Sequence, residues 1–287
     1  MATTTSNINN GLIKLTDKEL QLISSLVYSK YGIKLDERKR SLIIGRLQKL
    51  LRAKGFTSFT EYYEYVTSDA TGEGLTNMID RISTNHTYFY RESEHFNYYR
   101  NTVLPQLAEA QKGRNQKKLR IWCAGCSSGE EPYTLAILTL DFLKKEPGNW
   151  DVGILGTDIS TLALSKAAAG IYTEENISRL PEWMKSEYFI KQPDSMWAVK
   201  ERVKELILFK KLNLMRSDYP FKGKFDAIFC RNVMIYFDKP TRDALTARFA
   251  RYTAPGGYLF IGHSETLRWN DNTYKYLKPA VYRKEAA

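Results

Sequence analysis

The stretch LRIWCAGCSSGEEPYTLAILTLDFLKK, residues 119–145, decides how the chain is read. Residues 119–125 are a short apolar run ending at Gly125, the pattern of a buried strand, and the apolar density of 131–145 is that of a helix packed on a sheet. Between them lies a tight turn bearing Gly125 and Gly129. Downstream the same grammar repeats. DVGILGTD (151–158) predicts a second strand, STLALSKAAAG (160–170) a helix stopped by Gly170, and LILFKKLNL (206–214) and FDAIFCRNV (225–233) two further strands. A helix over 239–254, a strand over 256–263 and a closing antiparallel hairpin, TYKYLKP with AVYRKE, complete the series. Strands alternating with helices at this spacing predict an α/β, doubly wound, mostly parallel sheet over 118–287. Such sheets bind ligands at the carboxyl ends of their strands. Residues 172–205, rich in Trp, Met, Lys and Pro, interrupt the alternation and read as an inserted subdomain.

Upstream the pattern is helical throughout. Residues 1–11 are polar and predict a disordered lead, 12–82 an all-α amino-terminal domain, and 83–117 a linker with its own helix. Thr16 with Glu19 three residues on is a capping-box signal for a helix to Tyr31, stopped by Gly32. Asp36 opens a second helix ending at Gly55, and two shorter ones follow over 58–67 and 74–81.

Composition narrows the function classes. The 287 residues hold 43 Lys+Arg against 32 Asp+Glu, a net charge of +11, which suits an acidic partner: nucleic acid, anionic membrane or an acidic protein. At 43% hydrophobic and 13% aromatic residues, wholesale disorder is excluded. Cys123, Cys126 and Cys230 cannot build a disulfide framework, no secretory signal opens the chain, and no apolar stretch reaches the ~20 residues that a membrane span needs. A reducing, cytosolic compartment is expected. The charge is unevenly placed: 34–54 carry eight basic side chains against two acidic, whereas 55–80 carry five acidic and none basic. At helical spacing Arg38, Arg46, Lys49 and Arg52 share one arc, opposite Ile43, Ile44, Leu47, Leu50 and Leu51. That stripe is either a docking face or an ordinary solvated one.

Three strand ends carry the chemistry. The turn after the first strand offers glycines and a helix N-terminus, as nucleotide sites do, but Glu130 and Glu131 sit where a pyrophosphate would lie. Two acids favour a cationic ligand, and S-adenosylmethionine carries an amino group and a sulfonium but no phosphate. Alternatively the acids only complement the helix dipole. Asp158 closes the second strand, where an acid can accept both ribose hydroxyls of an adenosyl group or simply cap a helix. FDAIFCRNVMIYF places Arg231, Asn232 and Tyr236 after the fourth strand. Upstream, STNHTYFYRESEHF (83–96) holds Arg91, whose permanent charge suits a carboxylate. Cys123 and Cys126 form a C-x-x-C with no second pair, so core packing outweighs zinc. His86, His95 and His263 show no ligand spacing, and no metal site is expected.

Taken together, ISTNHTYFYRE, IWCAGCSSGEEPYTLA, GTDIS, FDAIFCRNVMIYFDK and PGGYLFIGHSE closely resemble the bacterial chemotaxis receptor methyltransferases of the CheR type over about residues 12–285. The resemblance implies an all-α domain, a linker and a Rossmann-like, S-adenosylmethionine-dependent methyltransferase domain carrying a small antiparallel β subdomain. It implies methylation of glutamates on the cytoplasmic helices of chemoreceptors, without metal, in the cytoplasm at receptor arrays on the inner face of the membrane. Cofactor contacts would fall on Asn85, Thr87, Arg91, Glu131, Asp158, Asn213, Leu214, Arg231 and Asn232. Arg91 and Tyr236 match the positions proposed to act at transfer, and Arg38, Arg46, Lys49 and Arg52 the receptor-facing helix. Members that dock on a receptor pentapeptide carry a Gly-x-Gly loop, whereas 185–205 here contain no glycine, so no such tether is expected. Two readings from other classes stand beside this one: a nucleic-acid methyltransferase or binding module, and a catalytically silent S-adenosylmethionine sensor. Neither an RNA-binding motif nor a polar-Pro-Pro-aromatic turn supports the first, and Arg91 and Tyr236 speak against the second.

Overall fold

A computed structural model describes residues 12–83, 85–267 and 273–285, so the predicted lead over 1–11 lies outside the described residues. The chain divides into two compact units at residue 84. In the first, α1 (Asp17–Tyr31) starts on the predicted capping box. The Thr16 N–H donates to Glu19 Oε2 at 2.8 Å, the Glu19 N–H donates back to Thr16 Oγ1 at 3.3 Å, and Gly32 at φ 68° ends the helix. The other oxygen of Glu19 accepts the N–H of Thr60 at 2.9 Å, so one carboxylate caps α1 and ties it to the next helices. These are α2 (Arg40–Ala53), preceded by a 3₁₀ turn over Glu37–Lys39, α3 (Phe59–Ser68) and α4 (Glu73–Ile82). Leu20, Ile23 and Val27 of α1 are buried at helical spacing, as are Ile43, Leu47 and Leu51 of α2.

The second unit begins with α5 (Ser93–Tyr98), a π-helical turn over Tyr99–Val103 and α6 (Leu104–Glu109). The sheet domain continues with β1 (Lys117–Ala124), α7 (Glu130–Leu143), β2 (Trp150–Asp158) and α8 (Thr161–Ala169). An insertion follows: β3 (Ile171–Thr173), α9 (Glu174–Ile177), α10 (Glu182–Tyr188), β4 (Phe189–Lys191), β5 (Met196–Val199) and α11 (Glu201–Lys204). The chain then returns through β6 (Ile207–Lys211), β7 (Phe225–Cys230), α12 (Lys239–Tyr252), β8 (Thr253–Ile261), β9 (Tyr274–Lys278) and β10 (Val281–Lys284). The main sheet has the order β6-β2-β1-β7-β8-β10-β9, with β10 antiparallel to both its neighbours and the other pairings parallel. The insertion forms its own antiparallel sheet, β3-β5-β4, the small β subdomain expected.

Period-2 alternation sorts the central strands onto two faces. Ile121, Cys123, Ala227, Phe229, Tyr258 and Phe260 join one core, and Trp122, Ala124, Ile228, Cys230, Leu259 and Ile261 the other. Phe89, Phe96, Tyr99, Val103, Leu104 and Leu107 belong to the first of these cores, so the residues read as a linker form a layer over one face of the sheet. The three cysteines are buried and unpaired, which agrees with the packing role expected of Cys123 and Cys126. The β4–β5 connection turns through Asp194 (φ 55°) and Ser195 (φ 56°), a pair of left-handed residues where glycine or asparagine is usual. No helix among the described residues is long and apolar enough to cross a membrane.

Candidate functional site

Strand order reverses beside β1, with β2 and β6 to one side and β7 and β8 to the other, and the crevice opens at the carboxyl ends of these strands. The turn leaving β1 is fastened to the end of β2. The N–H groups of Gly125 and Cys126 both donate to the Thr157 carbonyl, at 2.8 and 2.9 Å. Gly125 has φ 94°, and a Cβ there would stand 2.4 Å from Val233 Cγ2, so only glycine lets the loops after β1 and β7 close together. Asp158 accepts the N–H of Ser127 at 2.8 Å on one oxygen and that of Ser160 at 2.9 Å on the other.

Arg231, just beyond β7, organises the crevice floor. Its side chain is only 3% exposed and reaches Glu131 Oε2 at 2.9 Å and Glu92 Oε2 at 3.0 Å, and it also donates to the Arg91 carbonyl. The guanidinium lies 5.0 Å from the Phe96 ring centroid. Burial pushes the Glu131 carboxyl up from its ordinary value, with Arg231 opposing. For Glu92 burial also pushes upward, but Arg231 and the Asn232 amide outweigh it and the net shift is down. Glu92 Oε1 accepts the Asn232 side-chain amide at 3.1 Å. Both residues are left-handed, Glu92 at φ 54° and Asn232 at φ 58°. Non-glycine residues in that region cost about 1 kcal/mol or more each and persist only where their surroundings hold them.

Most of the predicted cofactor residues surround this crevice. Asn85, Thr87 and Arg91 share the loop before α5, where the Asn85 carbonyl accepts the Ser127 hydroxyl at 3.3 Å and the Arg91 guanidinium donates to the His86 carbonyl at 2.9 Å. Asn213 and Leu214 follow β6; the Asn213 side-chain oxygen accepts the Met215 N–H at 2.9 Å, and the Leu212 N–H bonds the Asp158 carbonyl at 3.0 Å. Tyr236 is half-buried in a 3₁₀ turn over Met234–Tyr236. Glu130 is buried with the Ser128 hydroxyl on its carboxylate, at 2.8 Å to Oε2.

Sequence reasoning missed three groups here. Glu92 was passed over although it adjoins Arg91, and Glu265 although it ends the quoted PGGYLFIGHSE. The His95 and His263 rings, scattered in sequence, meet edge to face with centroids 4.5 Å apart. His95 is fully buried, and burial, then Arg231, push its pKa down to about 3. Glu92, His95 and His263 offer three possible ligand atoms within 4.8 Å of one another. The Glu92 oxygen nearest His95, at 3.5 Å, is the one Arg231 holds, so a fixed monocation already answers that charge.

In the helical unit the predicted cationic stripe is rearranged. Arg38 sits in the 3₁₀ turn, out of phase with α2, exposed and paired with Asp36 at 2.5 Å. Arg46 is half-buried and donates to the carbonyls of Arg81, at 3.3 Å, Ile82, at 3.2 Å, and Ser83, at 2.5 Å, capping the carboxyl end of α4. Lys49 and Arg52 remain on the exposed face.

Comparisons with known proteins cover both units. A family model described as "CheR methyltransferase, SAM binding domain" matches residues 85–282, and one described as "CheR methyltransferase, all-alpha domain" matches 18–83. The chain is 47% identical over 281 residues to the chemotaxis protein methyltransferase of Borreliella burgdorferi, covering 98% of this chain and 99% of that protein. It is 41% identical over 271 residues to a probable chemotaxis protein methyltransferase of Rhizobium etli, covering 90% and 100%. With the chemotaxis protein methyltransferase of Escherichia coli it shares 35% identity over 273 residues, covering 94% and 92%.

Proposed function

This chain belongs to the CheR methyltransferase family, and on that premise we propose that it transfers a methyl group from S-adenosylmethionine to glutamate side chains on the cytoplasmic helices of chemoreceptors, giving glutamate methyl esters and S-adenosylhomocysteine. The observation that carries the reading is the meeting of a glycine turn, Asp158 and the Arg231–Glu131–Glu92 cluster at the ends of β1, β2 and β7. The donor set fits the cofactor: two carboxylates surround a single buried cation, which leaves no room for a pyrophosphate's charge but suits a ligand bearing a sulfonium and an amino group. Asp158 is assigned to the ribose hydroxyls, the Asn213–Leu214 segment to the adenine, and Asn85, Thr87, Arg91, Glu131, Arg231 and Asn232 to the remainder.

When bound, the cofactor supplies an electrophilic methyl group on its sulfonium. A glutamate with pKa near ~4.3 is already ionised at neutral pH, so the acceptor needs no general base. His95, held neutral in the interior, therefore has no proton to take. What remains for the protein is alignment and desolvation. Tyr236 orients the acceptor carboxylate through its hydroxyl, and Arg91 bridges cofactor and acceptor. Charge is neutralised as the ester forms, so one cation at the acceptor serves and a cluster would hold the ground state too tightly. Lys49 and Arg52 are the receptor-facing cations, with Arg46 holding their helix in place. Methylation at receptor arrays would then need no pentapeptide tether, since Asp194 and Ser195 put side chains on the turn where a Gly-x-Gly loop would leave the backbone open.

The test supplies cofactor labelled in its methyl group, together with receptor cytoplasmic fragments and, separately, RNA. Base-labile label on the receptor fragments is expected. Label in RNA, or none in the receptor fragments, overturns the reading.

A further inference from the structure

Glu265 stands outside every role assigned above. It follows β8 on a buried loop, 4% exposed, and forms no ion pair among the described residues. An ionised carboxylate in that setting must be compensated by hydrogen bonds. Burial pushes the Glu265 carboxyl up from its ordinary value, and backbone opposes that shift: Oε2 accepts the N–H groups of Gly262 at 2.5 Å and Asn232 at 3.1 Å, and Oε1 accepts that of Ile235 at 3.0 Å. Two of these donors bracket one short segment. Asn232 begins it, beside Arg231, and Ile235 directly precedes Tyr236.

The segment needs such a hold. Asn232 sits at φ 58°, a left-handed conformation that asparagine adopts more readily than most residues and that its neighbours here hold in one place. Glu265 grips its main-chain N–H while Glu92 grips its side-chain amide at 3.1 Å. Gly262 makes the approach possible. A Cβ there would lie 2.7 Å from Asn232 Nδ2, 2.8 Å from Asn232 N and 2.9 Å from Glu265 Oε2. Two loops and one carboxylate are thus built to close tolerance around the 232–236 segment.

We propose that Glu265 is a positioning residue for methyl transfer, whose carboxylate fixes the backbone from Asn232 to Tyr236 so that the Asn232 amide meets the cofactor and the Tyr236 hydroxyl meets the acceptor. The proposal rests on the roles of Asn232 and Tyr236 given above. Glu265→Gln keeps the volume but turns one acceptor oxygen into a donor facing an N–H, and Glu265→Asp keeps the charge but withdraws it by one methylene. In the full chain, whichever variant folds should bind S-adenosylhomocysteine and turn over receptor fragments about tenfold less well.

Coupling separates positioning from mere support. In a Tyr236→Phe background the loss in kcat on changing Glu265 should shrink to less than about threefold, and in an Asn232→Ala background the loss in affinity should shrink likewise. A packing variant, Leu245→Val, in the apolar cluster that also holds Met234, brought by temperature to the same margin below its Tm, should keep both. The proposal is overturned by equal losses in all backgrounds, by losses in Leu245→Val as large as in the Glu265 variants, or by unchanged affinity and turnover. If Tyr236→Phe alone turns over as wild type, the assigned role of Tyr236 has failed, and Glu265 is then judged on cofactor affinity and its coupling to Asn232.

Discussion

Arg46 in the helical unit and Arg231 in the sheet unit both end on backbone carbonyls, yet their settings differ. Arg46 closes the end of one helix at the edge of solvent, with Lys49 and Arg52 exposed nearby on the same helix. Arg231 is 3% exposed and joins two carboxylates and the Arg91 carbonyl in the interior. Charges of one sign on a surface are interchangeable and screened, whereas a buried charge is fixed by each of its partners. Changes at Arg231 should therefore be costly one by one, whereas changes at the exposed cations of α2 should respond in proportion to salt.

The hardest test of that contrast is Arg231→Met. It leaves Glu92 and Glu131 buried without their cation, a change that ordinarily costs about 3–5 kcal/mol. Cofactor affinity measured by calorimetry should fall more than about 100-fold, and Arg231→Lys should rescue little of it because a point charge cannot fork to three acceptors. Binding within a few-fold of wild type would dissolve the distinction.

His95 gives a smaller effect with a definite sign. Its pKa is lowered in the folded chain to about 3 from an ordinary value of about 6.5, so between those values the unfolded chain binds the extra proton. Stability is then lost as pH falls below about 6.5, and between pH 7 and pH 5 the loss is about 2 kcal/mol. All five tryptophans, at 122, 150, 183, 197 and 269, lie after residue 84, so tryptophan fluorescence reports unfolding of the sheet unit. In urea titrations read this way, the wild type should lose about 2 kcal/mol more than His95→Gln over that pH range. Parallel pH profiles for the two proteins would show that His95 is not held neutral.

The smallest effects belong to α2. Reversing Lys49 and Arg52 to Glu should raise the receptor-fragment KM a few-fold at low salt, vanish at high salt and leave cofactor affinity alone, as exposed contacts do. Arg46→Ala should instead loosen the carboxyl end of α4 by about 1 kcal/mol, seen as faster amide exchange there. If Arg46→Ala behaves like the Lys49 reversal, its carbonyl contacts are incidental.

This ordering also marks what the sequence could convey. Local signals were legible because the residues that create them are neighbours: Thr16 with Glu19, Gly32 and Gly170 at helix ends, alternating apolar residues in β1 and β7. Strand-end reasoning reached Asp158, Arg231 and Asn232 for the same reason, since a strand's end is visible in its own pattern. Glu92, His95, Glu265 and His263 were not legible, because what gives them meaning is the adjacency of β7 and β8 and the folding of 85–109 onto the sheet. No spacing rule joins His95 to a histidine 168 positions away. Arg46 shows the same limit from the other side: helical phase places it on a face, but phase does not say that the end of another helix lies within reach.

The strand order carries one more consequence, for the history of the molecule as it is made. β9 precedes β10 in the chain, yet it reaches the sheet only through β10, which lies between it and β8. During folding, a β9 segment that reaches the sheet ahead of β10 meets an open β8 edge that β10 must occupy. Either that edge waits unpaired or β9 must be displaced from it, and both intervals expose backbone to other nascent chains. Docking of β10 is therefore the step that closes the β8 edge to pairing with other chains.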